Sequence, residues 1–301
     1  MIEPRKVTPP ELGQARERFL ELVADVRPEL HRYCARLSGS VVEGEDIVQE
    51  ALARAFYAVS LATEVPPLRP LLFRVAHNTA VDFLRRYDRR HVEPRADFDD
   101  RPFDDEPMDP LVLRAALATF LALPVAQRSA VILKDVLDHS LEEIAEEMST
   151  TVAAVKSLLV RGRAGLRAHR EQAEPGASSP AHADRVEREQ LQRYVSLFNE
   201  RNWDGLRALM AEEVRLDLVA KASRRGHEVS AYFGNYAKDP NARVAARSVD
   251  GRPALVFFSG DGAPPYCIFL EWSGGQVSFI RDFRYVPYIL KEAELRAIEP
   301  A

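Results

Sequence analysis

The feature that most constrains this chain is a run of carboxylates and prolines between residues 96 and 110. Asp97, Asp99, Asp100, Asp104, Asp105, Glu106 and Asp109 stand there among three prolines. Like charges repel and proline removes backbone donors, so no regular element should cross this stretch, which is expected to be extended and mobile. A second break, Glu174 to His182, reads Glu-Pro-Gly-Ala-Ser-Ser-Pro-Ala-His and has the composition of a flexible spacer. The 301 residues therefore divide into blocks at 15–95, 111–170 and 185–296, joined by linkers at 96–110 and 171–184.

The first two blocks carry helical spacing. Phe19, Leu22, Val23, Val26, Leu30, Tyr33 and Leu37 recur at three and four residues. Ile47, Leu52, Phe56 and Val59 mark a second helix, and Leu72, Val75, Ala76, Thr79 and Phe83 a third after Pro70. In the second block, Ser140 followed by Glu143 is a capping box, in which side chains satisfy two amides left open at a helix start. Ser149-Thr150-Thr151 supplies a turn and another N-cap. On the helix that follows, Val152, Val155, Leu159, Gly162 and Leu166 share a narrow arc expected to pack on Ile144, Met148 and a helix from Val125 to Leu137. The opposite surface carries Thr151, Ala153, Ser157 and Val160, flanked by Lys156, Arg161, Arg163 and Arg167, with no acid from Thr151 to Arg170. Small residues admit a helix to the major groove, and cations meet phosphates or guanine edges.

Charge and composition narrow the class. The net charge of −5 does not exclude nucleic acid, because phosphate contact is made by a patch and the bases gather near 85–95 and 156–170. No apolar run is long enough to span a bilayer, so no membrane partner is expected. Cys34 and Cys267 lie far apart without ligand spacing, which suits a reducing cytoplasm and suggests neither a structural metal nor a cofactor.

These motifs resemble a known family. Leu123-Pro124 through Leu166 resembles the fourth conserved region of sigma factors, which reads the −35 promoter element. Gly44-Glu45-Asp46-Ile47-Val48-Gln49-Glu50 through Phe56 resembles the polymerase-binding helix of the second region. Leu71 through Arg86 resembles the helix that melts and reads the −10 element. With no large domain between the two regions, the chain resembles the extracytoplasmic-function group. The resemblance implies that core RNA polymerase and promoter DNA are its partners. Asp46, Gln49 and Glu50 share one helix face and would dock on polymerase. Asn78, Asp82, Arg85 and Arg86 lie on neighbouring turns, where the arginines would anchor phosphates, and Asn78 and His77 would meet flipped-out bases. Where relatives often carry tryptophan, this chain has Phe73. The acidic linker would thread a channel that later holds nucleic acid.

The third block changes character. Leu191, Tyr194, Val195, Phe198, Leu206 and Leu209 space one or two helices, and strand-like runs follow at 214–219, 243–249, 254–259, 266–272 and 277–285. Asp250-Gly251 and Ser273-Gly274-Gly275 predict hairpin turns and hence an antiparallel sheet. Gln192 to Met210 and Ile280 to Tyr288 resemble the SnoaL-like cone-shaped α+β domain. The expected architecture is thus multidomain: an all-α helical bundle, an all-α helix-turn-helix domain and an α+β cone. Such a cone has a pocket, so a small-molecule ligand is a possible partner. Asp217, His227 and Asp282 are candidates for proton transfer, while Asp282, Arg284 and Tyr285 are candidates for a regulatory contact within the chain. Two other readings fit the same residues: a ligand-responsive helix-turn-helix regulator, and a SnoaL-like enzyme with a DNA-binding appendage.

Overall fold

A computed structural model describes residues 9–61, 67–87, 117–172 and 185–298. The acidic linker and nearly all of the second linker lie outside the described residues. The chain forms two compact units, Met1–Pro175 and Gly176–Ala301. Among the described residues no helix is long and apolar enough to cross a membrane.

The first unit is helical. Helices α1 (Pro9–Ser38), α2 (Val41–Leu61) and α3 (Leu68–Tyr87) are followed by a short α4 (Leu117–Phe120), then α5 (Val125–Val131), α6 (Leu141–Glu147) and α7 (Val152–Gln172). Pro70 sits in the first turn of α3, where its missing amide has no intrahelical role. The close crossing of α1 and α2 depends on Gly44: a Cβ there would stand 2.6 Å from both the Cα and the amide nitrogen of Ala35.

The expected helix from Val125 to Leu137 changes pitch part-way. Ile132–Val136 is a π-helical turn, closed by the Leu137 amide donating to the Ile132 carbonyl at 3.1 Å. Both predicted caps are present around α6 and α7. Ser140 Oγ accepts from the Glu143 amide at 3.2 Å, and Glu143 accepts from the Ser140 amide at 2.8 Å. Thr151 Oγ1 accepts from the Ala154 amide at 3.2 Å. These caps fix where the helix-turn-helix begins and turns, and Val155, Leu159, Gly162 and Leu166 are buried as their spacing predicts.

The two helical blocks do not stand apart. Buried side chains from Phe19 to Leu166 form one continuous core in which Tyr33, Phe73, Ala130, Ile144 and Leu159 all take part. The arrangement is tied by polar bonds as well. Arg128 of α5 donates to the carbonyl of Leu37, near the end of α1, and to those of Leu123 (2.9 Å) and Leu121 (3.3 Å).

The second unit lays α8 (Arg185–Asn199) and α9 (Trp203–Ala208) against a seven-stranded sheet. Its strands are β1 (Met210–Leu218), β2 (Ala222–Arg225), β3 (Arg243–Val249), β4 (Arg252–Phe258), β5 (Tyr266–Ser273), β6 (Gln276–Asp282) and β7 (Leu295–Ala297), in the order β2-β1-β6-β5-β4-β3-β7. A further helix, α10 (Ser230–Tyr236), follows β2. The fold is the expected α+β type, with one correction. The pairing is not wholly antiparallel: β1 runs parallel to β6, with Leu216 opposite Ile280 and Leu218 opposite Asp282. The Asp250-Gly251 turn has both residues at positive φ (49° and 78°), as a two-residue hairpin requires.

Gly44→Ala should lower the melting temperature of the first unit. The substitution gains about 1 kcal/mol in helix propensity. It drives a methyl into backbone that cannot rotate away, and overpacking of that kind costs about 1–3 kcal/mol. A melting temperature equal to the parent's would show that α1 and α2 can separate at no cost.

Candidate nucleic-acid interface

The capped start of α7 presents Thr151, Ala153 and Lys156 to solvent, with Ser157 and Arg161 half-buried beside them. Arg161 donates to the Ser157 carbonyl at 3.3 Å, which lays its stem along the helix. Arg163, expected on the same exposed flank, is not there. It is 5% exposed and grips Asp135 with two bonds, at 2.6 and 3.0 Å. The reason is helical phase: Arg163 falls four residues after buried Leu159, so it faces inward. Asp135 is its partner because the π-helical turn carries that carboxylate to the same place. A paired, buried guanidinium is a strut between helices rather than a hand for DNA.

On α3 the candidates separate into two groups. Asn78, Asp82, Arg85 and Arg86 are exposed along successive turns. Phe73 and His77, one and two turns earlier, are buried. The Phe73 ring is 1% exposed and meets the rings of His139 at 4.7 Å and Tyr33 at 6.2 Å, both edge-on. His77 Nδ1 lies 2.7 Å from the Tyr33 hydroxyl and 3.4 Å from Ser129 Oγ, while Tyr33 and Ser129 are 3.2 Å apart. Burial pulls the His77 pKa down to about 4, so it is neutral in the folded protein. The expectation that Phe73 and His77 stand ready for bases is corrected in this conformation, because the second helical block covers them.

The α2 candidates Asp46, Gln49 and Glu50 are half-buried along one face, as their spacing predicts. Gln49 donates to Glu45 at 3.5 Å, and Glu45 is fully buried against Arg27. Glu50 joins this face to α3: Arg54 reaches Glu50 at 2.5 Å and Asp82 at 3.6 Å, and Arg86 approaches Glu50 at 3.8 Å. Arg54 is the residue the motif matches passed over. Its place between two acids, four residues after Glu50, was the available signal.

Beside Phe73 lies a second group not singled out from sequence. His139 Nε2 is 3.1 Å from Glu29 of α1, and its Nδ1 is 3.0 Å from Glu147 of α6. Burial alone would lower the His139 pKa, but hydrogen bonds from Glu147 and Glu29 outweigh it and hold the group up at about 9. Arg69 then clamps Glu29 with bonds of 2.6 and 2.7 Å and lies 5.4 Å over the Phe73 ring. Burial raises Glu29, but the bonds from His139 and Arg69 bring its carboxyl below the ordinary range.

In the second unit Asp282 is 0% exposed, which corrects its expected role in a surface contact. It accepts from the Tyr232 hydroxyl at 2.8 Å, the Tyr236 hydroxyl at 2.9 Å and the Arg284 amide at 2.8 Å. Arg284 lies 3.6 Å from the same carboxylate and donates to the Tyr266 hydroxyl at 2.9 Å. Burial is the main influence on Asp282 and raises its pKa, with Arg284 opposing. Asp217 cannot join it in proton transfer. Strand alternation puts Asp217 with Arg281, 3.6 Å away, on the other face of the sheet. Of the expected regulatory trio only Tyr285 is exposed, where Lys221 donates to it at 3.1 Å. The side chain of His227 lies outside the described residues. Among the described residues no group of three or more His, Cys, Asp or Glu could hold a metal ion.

Comparison with known proteins bears on these surfaces directly. Residues 22–90 match the Sigma-70 region 2 family, and residues 113–166 match the Sigma-70, region 4 family. The chain is 32% identical over 134 residues to ECF RNA polymerase sigma factor SigL of Mycobacterium tuberculosis, a match covering 76% of SigL and 43% of this chain. The chain belongs to the extracytoplasmic-function (ECF) RNA polymerase sigma factors. It is also 30% identical over 214 residues to ECF RNA polymerase sigma factor SigG of the same organism, covering 62% of this chain and 57% of SigG. It thus spans under two thirds of that relative's length. The crystal structure of the M. tuberculosis extracytoplasmic function sigma factor SigJ aligns with 87% of this chain and 95% of its own, at 22% identity and a TM-score of 0.35. In the family's terms, α1 to α3 form region 2 and α5 to α7 form region 4.

Arg163→Ala should destabilise the fold by about 3–5 kcal/mol, because it strands Asp135 without its partner. Lys156→Ala should leave stability within about 0.5 kcal/mol of the parent. Instead it should weaken DNA binding and reduce the salt slope by about 1. Chemical unfolding and binding titrations at several salt concentrations separate the two, and a Lys156→Ala slope equal to the parent's would remove Lys156 from the interface.

The two histidines predict opposite dependences on pH. The His139 pKa is raised from an ordinary ~6.5, so its contribution is complete below that value and is lost as pH rises through about 9. The His77 pKa is depressed, so its contribution is complete above ~6.5 and is lost as pH falls through about 4. Thermal melting of the parent and His139→Gln should therefore converge between pH 6.5 and 9. A gap constant across that window would mean that His139 is not charged in the fold.

Proposed function

We propose that this chain binds core RNA polymerase and directs promoter-specific transcription initiation in the cytoplasm. The single observation that supports this most is the doubly capped helix-turn-helix of region 4, whose acid-free α7 exposes Thr151, Ala153 and Lys156 at its start. In this reading Asp46, Gln49 and Glu50 meet the polymerase. Asn78, Asp82, Arg85 and Arg86 follow the −10 element, and Thr151, Ala153, Lys156, Ser157 and Arg161 follow the −35 element. Phosphate contacts from the arginines would set register, and the small face of α7 would read base edges.

The second unit fits a modulator in cis better than an enzyme. Its central carboxylate already accepts three hydrogen bonds and faces an arginine, so neither a lone pair nor a nearby base is left for substrate chemistry.

Run-off transcription with purified core enzyme tests the reading. The full chain should yield promoter-dependent transcript. Joint substitution Asp46→Ala, Gln49→Ala and Glu50→Ala should abolish co-elution with core enzyme while the circular dichroism spectrum stays unchanged. A chain ended near residue 175 should transcribe at a different level from the full chain. If the parent does not co-elute with core enzyme, the reading fails; equal transcript with and without the second unit would remove its regulatory role alone.

A further inference from the structure

Closure of region 4 over region 2 hides part of the α3 surface on which the reading above rests. The same helix is divided. Asn78, Asp82, Arg85 and Arg86 are exposed on its later turns, while Phe73 and His77 on its earlier turns are covered. The cover consists of region 4 residues: His139 lies against the Phe73 ring, and Ser129 against His77. A base-stacking aromatic and a base-bonding imidazole cannot meet nucleic acid while those residues are in place.

The bonds that hold the cover are of an unusual kind for a permanent core. Arg69, Glu29, His139 and Glu147 form a chain of alternating charge that runs from region 2 through His139 into region 4. Buried ion pairs add less to stability than apolar packing of equal volume, but they fix one docking geometry. Their members regain hydration once exposed, so such a contact can part without leaving an aggregation-prone apolar scar on either side. Glu29 is already about one-quarter exposed, which gives water a point of entry. Opening must also release Arg128 from the Leu37 carbonyl, so the closed form has at least two fastenings.

We infer that region 4 is a latched cover on the base-reading half of α3, that the Glu29–His139–Glu147 bridge is its latch, and that the free protein is closed until core polymerase opens it. The exposed half of α3 then meets phosphates without any rearrangement, whereas base reading through Phe73 and His77 waits for the latch. A closed majority also lowers apparent affinity for polymerase by the fraction that is open, so loosening the latch tightens binding without touching the docking face.

Spin labels at Ala24→Cys on α1 and Glu146→Cys on α6, both at exposed positions, report the separation of the two regions by pulsed electron paramagnetic resonance. The native Cys34 and Cys267 are buried and should not label. The free full chain should give one short, narrow distance, and adding core polymerase should convert it to a longer one. His139→Gln should raise the long-distance population of the free protein about tenfold, the effect of losing a charged hydrogen bond, and should tighten polymerase binding by a similar factor. Glu29→Gln, at a partly exposed carboxylate, carries the same test if His139→Gln fails to fold. Unchanged distances in whichever variant folds would overturn the latch. A short distance that persists in the polymerase complex would overturn the cover. Failure of the parent to bind polymerase would sink the functional reading instead, and the free-protein distances would still decide the latch.

Discussion

His139 keeps its proton because two carboxylates from different helices face it, and the first unit is organised around that cation. Glu29 belongs to α1 and Glu147 to α6, so one imidazolium specifies how region 2 and region 4 meet. A neutral ring could satisfy only one of these acceptors by donation, leaving the other carboxylate buried without a donor. Apolar packing supplies most of the attraction across this junction, since one core runs through both regions. The charges supply direction. Apolar surfaces tolerate sliding, but a bridge with bonds of 3.0 and 3.1 Å does not.

The second unit shows the same logic in a different chemistry. Asp282 is also a buried carboxylate, but its donors are two tyrosine hydroxyls and a backbone amide, with Arg284 stacked 4.7 Å over the Tyr236 ring. Tyr236 donates in turn to Tyr232 at 2.8 Å, so the polar centre is a closed circuit among aromatic walls. In one unit a buried acid joins two separable blocks; in the other it fills the middle of a single one.

What could be read from the sequence was local. The capping box at Ser140 and the cap at Thr151 are bonds across three residues, and both formed. The buried arc of α7 followed from helical period. The same period also turns Arg163 inward, but basic composition drew it to the outer flank, and nothing near it in sequence pointed to Asp135, 28 residues away. Phe73 and His77 were placed on the correct helix. Their burial depends on Ser129 and His139, which approach only after the chain has crossed the acidic linker. The parallel pairing of β1 with β6 escaped for the same reason: hairpin turns signal themselves through Gly and Asp, whereas strands that meet across some sixty residues carry no local mark.

The π-helical turn at Ile132–Val136 has a consequence for how this chain can vary. A π turn holds one more residue than the α-helix around it, and that surplus is what swings Asp135 to Arg163. Removing a single residue there would restore ordinary pitch and rotate everything before it by about 100° relative to everything after. Arg128 and Ser129 on one side would then lose their alignment with His139 on the other. Length changes should therefore be rare in this five-residue stretch and common in the linkers, where no side chain downstream depends on the count.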